Sequence, residues 1–101
     1  MAKAKKKKTI RTRPWDGARY IRDDADRAAY LEAALEEDDP RVIVAVLGDI
    51  ARSRGMTEVS RETGLGRESL YKALSETGNP SLATVLQVIR ALGLRLKVTP
   101  A

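Results

Sequence analysis

The stretch Met56-Thr57-Glu58-Val59-Ser60-Arg61-Glu62-Thr63-Gly64-Leu65-Gly66-Arg67-Glu68-Ser69-Leu70-Tyr71-Lys72-Ala73 restricts the fold more than any other part of the chain. Its spacing predicts two short helices meeting at a glycine turn. Val59, Leu65 and Leu70 fall where such helices must touch, and Ser60 is small where they come closest. Gly64 can take the left-handed turn conformation that a side chain resists. Arg67, Glu68, Ser69, Tyr71 and Lys72 are then left facing outward from the second helix. This is the layout of a helix-turn-helix pair, in which early residues of the second helix meet base edges in the major groove of DNA.

Composition excludes several other classes. A chain of 101 residues supports one small domain with a modest core. It has neither cysteine nor histidine, which removes thiolate and imidazole chemistry, disulfides and the usual zinc ligand sets, so neither a metal nor another cofactor is expected. The longest apolar run, residues 42–47, is far too short to span a bilayer, and the basic start is not followed by an apolar signal core. A cytoplasmic protein without membrane contact is expected.

The net charge of +5 conceals three blocks. Residues 1–13 carry Lys3, Lys5, Lys6, Lys7, Lys8, Arg11 and Arg13 with no acid. Residues 14–49 hold ten acids against four arginines, and residues 50–101 are basic again, with eight cations against four acids. An acidic block between two basic ones implies two partner surfaces, a basic one for DNA and an acidic one for something positive.

Residues 1–13 form a lysine-rich arm too poor in apolar side chains to fold alone, so disorder is expected there and the folded domain is assigned to residues 14–101. Arg13-Pro14-Trp15-Asp16 closes the arm, and Trp15, the only tryptophan, is expected to dock this segment on the body as an extended strand or loop. A helix is predicted from about residue 24 to 37, with Ala28, Leu31, Ala34 and Leu35 on one face and acids near its start. Asp38-Asp39-Pro40 both ends it and opens the next, because proline suits a first helical turn and a preceding aspartate can cap the free amides. Residues 42–47 have strand-like side chains, yet the capped start and the continuation to Gly55 favour a buried helix over residues 41–54.

Beyond the helix pair, Thr77-Gly78-Asn79-Pro80-Ser81 reads as a loop with Ser81 or Asn79 capping a helix over residues 81–92 that stops at Gly93. Leu82, Val85, Leu86 and Ile89 recur in it at helical spacing and are expected in the core. Leu94-Arg95-Leu96-Lys97-Val98-Thr99 alternates apolar and polar as a half-buried strand does. The expected class is therefore mainly α, five helices with a short C-terminal β-strand. A lone strand cannot satisfy its own backbone, so it needs either residues 9–14 or the same strand of a second copy. The second option gives a homodimer through the C-terminal strand, which sets two recognition helices roughly 34 Å apart on a two-fold symmetric operator.

Residues 30–98 closely resemble the probable addiction module antidote proteins, small HigA-like antitoxins. The resemblance is carried by Tyr30-Leu31-Glu32-Ala33-Ala34-Leu35-Glu36-Glu37, by Leu47-Gly48-Asp49-Ile50-Ala51-Arg52-Ser53-Arg54-Gly55-Met56, by the recognition-helix phrase from Arg61 to Leu74, by Gly78-Asn79-Pro80-Ser81-Leu82-Ala83-Thr84-Val85-Leu86 and by Ala91-Leu92-Gly93-Leu94-Arg95-Leu96-Lys97-Val98. It implies a λ-repressor-like helix-turn-helix domain, repression of the protein's own operon at operator DNA, and neutralisation of a RelE/ParE-like toxin. Such toxins are commonly messenger-RNA nucleases. Family members often carry serine where Gly66 stands here; glycine occupies a cap at little cost but gives up a possible phosphate contact.

On this reading Arg67 is the candidate for a bidentate contact to guanine, with Glu68 accepting from cytosine or holding Arg67, and Ser69 beside them on the same helix. Lys72, Thr57, Asn79 and Ser81 are assigned to the DNA backbone, where contacts set register. Lys5, Lys6, Lys7 and Lys8 add salt-sensitive affinity without sequence information. Tyr71 is expected to pack on the preceding helix. The acidic stretch from Asp16 to Asp39, including Asp24, Glu32, Glu36 and Glu37, is the expected toxin-binding surface, since a toxin that grips RNA should be basic.

A stand-alone repressor without a toxin partner is the alternative, since it needs the same DNA-binding domain, and a non-specific architectural DNA binder would rely on the lysine arm. Asp23, Asp24, Asp26, Asp38 and Asp39 could in principle gather magnesium for phosphodiester cleavage. Their places at helix starts and turns suit capping instead, and no base is paired with a nucleophile at recognisable spacing, so no enzyme is expected.

Overall fold

A computed structural model of the chain describes residues 21–101. The lysine arm, the segment around Trp15 and the proposed domain boundary at residues 13 and 14 lie outside these residues. Five helices follow in order: α1 (Asp24–Glu36), α2 (Pro40–Arg54), α3 (Met56–Thr63), α4 (Arg67–Ala73) and α5 (Leu82–Ala91).

Local chemistry fixes their limits. The Asp23 carboxylate accepts from the Asp26 amide at 2.9 Å and caps α1. Asp39 does the same for α2 through the Arg41 amide at 3.0 Å, with Pro40 in the first turn where no amide hydrogen is missed. Between them Asp38 takes a left-handed conformation (φ 60°), which aspartate tolerates better than most residues. Ser81 caps α5, its hydroxyl accepting from the Thr84 amide at 3.1 Å, and Gly93 ends it with φ 78°.

The β-branched run of residues 42–47 lies within α2, as its capped ends and length require. Burial explains the residue choice: Val46, Leu47, Ile50 and Ala51 are fully enclosed, and α1, α3 and α5 all pack against this helix. Leu31 and Ala34 of α1, Val59 of α3, Leu70 and Leu74 around the end of α4, and Val88, Ile89 and Leu92 around α5 complete the core. Burying a side chain such as Leu70 or Leu92 is worth about 1.5–3 kcal/mol relative to leaving it in water.

Two sequence-based expectations fail. Residues 94–101 carry no regular secondary structure, and no β-strand occurs among the described residues. The Leu94 amide turns back to the Ile89 carbonyl at 3.1 Å to finish α5, and the backbone groups beyond it have no hydrogen-bond partner among the described residues. Alternation supplies a face, but a strand exists only where a second backbone completes the ladder. The homodimer expected through that strand thus has no preformed strand to build on. Leu82 and Leu86 are also not core: they are 71% and 42% exposed. The buried line of α5 runs through Val88, Ile89 and Leu92 instead, with Val85 partly covered, because α5 meets α3 and α2 on that side. No helix among the described residues is long and apolar enough to cross a membrane.

Candidate nucleic-acid and partner interface

The α3–α4 pair is built by side chains that stitch the turn as well as by packing. Gly64 ends α3 in the left-handed region (φ 77°), its amide donating to the Ser60 carbonyl at 2.9 Å. The Ser60 hydroxyl donates to the Leu65 carbonyl. Thr63 Oγ1 donates to the Val59 carbonyl at 2.8 Å and accepts from the Leu65 amide at 3.2 Å. Both backbone groups of Leu65 are thereby held while its side chain leans on the core. Ser60 is thus more than a small residue at a close approach, a role that spacing alone did not reveal.

This turn aims α4. Leu70 points inward and is fully buried, while Arg67, Glu68, Ser69, Tyr71 and Lys72 are exposed. Tyr71 is 44% exposed. Glu68 forms no ion pair with Arg67, and neither Arg67 nor Lys72 is paired with any acid among the described residues. By contrast the arginines next to α4 are occupied: Arg61 pairs with Glu58, and Arg54 with Glu62 at 3.4 Å. The α4 surface therefore carries two uncommitted cations on a helix whose far side is locked into the core.

Of the remaining residues assigned to the DNA backbone, Thr57, Asn79 and Ser81 are exposed. Thr57 is exposed in the first turn of α3. Asn79 is exposed in the loop after α4, and Ser81 is exposed but engaged, its hydroxyl bonding to Thr84 at both the amide and Oγ1. The loop is held tightly against α4: a Cβ on Gly78 would sit 2.1 Å from the Ala73 carbonyl oxygen, so only glycine fits. Lys5, Lys6, Lys7 and Lys8 lie outside the described residues.

On α1 the acids separate into two groups. Asp24 pairs with Arg27, and Asp26 accepts from the Arg22 amide at 2.9 Å, a bond that lowers its carboxyl below the usual range. Glu32 and Glu36 are exposed, one turn apart, and form no ion pair among the described residues. Glu37 is half-buried, and its amide donates to the Ala34 carbonyl at 3.0 Å while the Asp38 amide donates to that of Leu35 at 3.2 Å, closing the end of α1. Of the four acids expected to face a toxin, Glu32 and Glu36 are the ones both exposed and uncommitted. Asp23 and Asp39 serve as caps, and no group of three or more side chains suited to a metal ion occurs among the described residues.

One ionisable group escaped the sequence reading. Asp49 of α2 is buried, accepts from the Tyr30 hydroxyl of α1 at 3.2 Å, and pairs with Arg52. Burial pushes its carboxyl above the usual range, against the opposing pull of Arg52 and the Tyr30 hydroxyl.

A protein family described as probable addiction module antidote protein matches residues 11–100. A Haemophilus influenzae protein described as uncharacterized is 43% identical over 90 residues, covering 89% of this chain and 93% of the relative. No solved structure matches. With nine-tenths of its length matched, the chain belongs to the family of probable addiction module antidote proteins.

Proposed function

We propose that the protein is a HigA-like antitoxin: it neutralises a RelE/ParE-like toxin and represses its own operon by inserting α4 of a helix-turn-helix into operator DNA. An antidote implies a toxin partner in general, and the family match supplies that part. The observation that carries the DNA-binding part is the pair of uncommitted cations, Arg67 and Lys72, exposed on a helix anchored by the buried Leu70. Arg67 reads a guanine edge, and Lys72, Thr57 and Asn79 hold the phosphates. A homodimer presents two such helices to a two-fold symmetric operator. Glu32 and Glu36 form the centre of the surface that meets a basic toxin.

Asp23, Asp24, Asp26 and Asp39 are engaged in caps and ion pairs, which favours a binding protein without catalysis, working in the cytoplasm. Coexpression with the small protein encoded beside its gene tests the reading. A copurifying complex that relieves growth arrest supports it. Specific operator binding without such a complex makes the chain a stand-alone repressor instead.

A further inference from the structure

An open groove of about 210 Å³ runs between α1 and the C-terminal segment. Leu31 and Leu35 line it from α1, Leu94 and Leu96 from the other wall. Leu35 and Leu96 are 38% and 43% exposed, so apolar surface remains in water. The walls differ in sign, with Glu32 on α1 and Arg95 and Lys97 on the segment. None of these three is in an ion pair among the described residues. The backbone groups of residues 95–101 also lack hydrogen-bond partners there. Apolar surface, charges of both signs and open backbone groups therefore lie side by side, which is what an extended peptide segment needs in order to dock.

A second copy of the chain suits this place poorly. When residues 94–99 meet their own copy antiparallel, the central registers that keep Leu94, Leu96 and Val98 on one face set Arg95 against Lys97, or one of these cations against itself. Like charges directly opposite are destabilising. A shift by one residue removes that repulsion only by setting apolar side chains against charged ones. A different chain with acids at those places meets neither difficulty.

We propose that the groove seats an extended stretch of the toxin, a deepening of the toxin-binding reading above, on which it rests. The stretch places apolar side chains between Leu35 and Leu96, an acid toward Arg95 and Lys97 and a base toward Glu32, and its backbone pairs with residues 95–99. Pro100 has no amide hydrogen and ends the pairing. Glu32 belongs both to this groove and to the acidic surface of α1, so the two form one continuous toxin contact.

Hydrogen exchange and calorimetry test this, with the small protein encoded beside the gene as titrant. Amides of residues 95–99 should exchange freely in the free chain, and alternate ones should slow at least about tenfold in the complex, because extended pairing engages every second residue. Arg95→Glu combined with Lys97→Glu and, separately, Leu96→Asp should each weaken the complex at least about tenfold. All three positions are exposed, so helicity by circular dichroism should persist. Equal affinity of parent and both variants overturns the proposal and leaves the toxin reading standing, whereas no complex with the parent overturns both. Amides that stay fast in the complex also overturn the proposal. So does slow exchange in the free chain, which assigns the groove to a second copy if it vanishes on dilution and to another part of this chain if it does not.

Discussion

The Tyr30 hydroxyl of α1 donates to the carboxylate of Asp49 on α2 at 3.2 Å, tying the acidic first helix to the centre of the core at the most buried acid described. Arg52, one turn along α2, pairs with the same carboxylate and reaches partly into solvent. A buried carboxylate so placed links the packing of α1 to pH. Its folded value lies above the ordinary 3.8, so the folded state holds the proton more tightly than the unfolded chain. Stability from this group is greatest below about 3.8, falls as pH rises through its raised value, and is level above it. Urea midpoints followed upward from about pH 3.8 should show this falling component in the parent and lose it in Asp49→Asn. The slope is the readout, because asparagine also gives up the pairing with Arg52. Equal slopes would mean that Asp49 is ionised throughout.

Leu70 holds α4 to the core, and removing it should be costly. Leu70→Ala is expected to destabilise the fold by about 2–5 kcal/mol through the lost burial and the cavity left behind. Equilibrium urea unfolding measures this directly. A loss under about 1 kcal/mol would show that α4 is not anchored there.

Gly78 is required by close approach and not by backbone conformation. Gly78→Ala places a methyl group against the Ala73 carbonyl and should cost about 1–3 kcal/mol as the loop is pushed off α4. Operator affinity should fall with it, since Asn79 and the end of α4 move together. Thermal unfolding and a binding titration check the two effects, and an unchanged melting temperature would refute the packing argument.

Arg67 and Lys72 should fail differently. Arg67→Ala is expected to weaken operator binding by about 1–3 kcal/mol and to relax preference at one base pair. Lys72→Ala should weaken binding to every sequence alike and reduce the salt dependence by about one counterion. Titrations against the operator and its point variants at two salt concentrations separate these outcomes. If Arg67→Ala weakens all sequences evenly, the residue contacts phosphate.

Glu32 and Glu36 test the second surface. Reversing both to lysine should weaken the toxin complex while leaving operator affinity within about twofold, since neither is on α3 or α4 and exposed substitutions cost little stability. Calorimetry of toxin binding and an operator titration on the same preparation give both numbers. Undiminished toxin binding would place that contact away from α1.

Local chemistry made the helix limits readable. Asp23, Asp39 with Pro40, Ser81, Gly64 and Gly93 each act through atoms within four residues along the chain, so their identities alone place the ends of the helices. The outward face of α4 was readable for the same reason, because burying Leu70 leaves Arg67, Glu68 and Lys72 on the other side. The stitching of the turn by Ser60 and Thr63 was hidden, since hydroxyl groups bond equally well to water and nothing in the residue type chooses.

What the sequence by itself determined, then, is where helices begin and stop and which residues α4 leaves exposed. Only the tertiary structure decided that Leu82 and Leu86 face water while Val88 and Leu92 are enclosed, that Asp49 is buried beside Tyr30, and that residues 94–99 stay unpaired. The division has one cause: capping and turns are settled by neighbours in the chain, whereas burial, ion pairing and strand formation depend on groups brought close from distant positions.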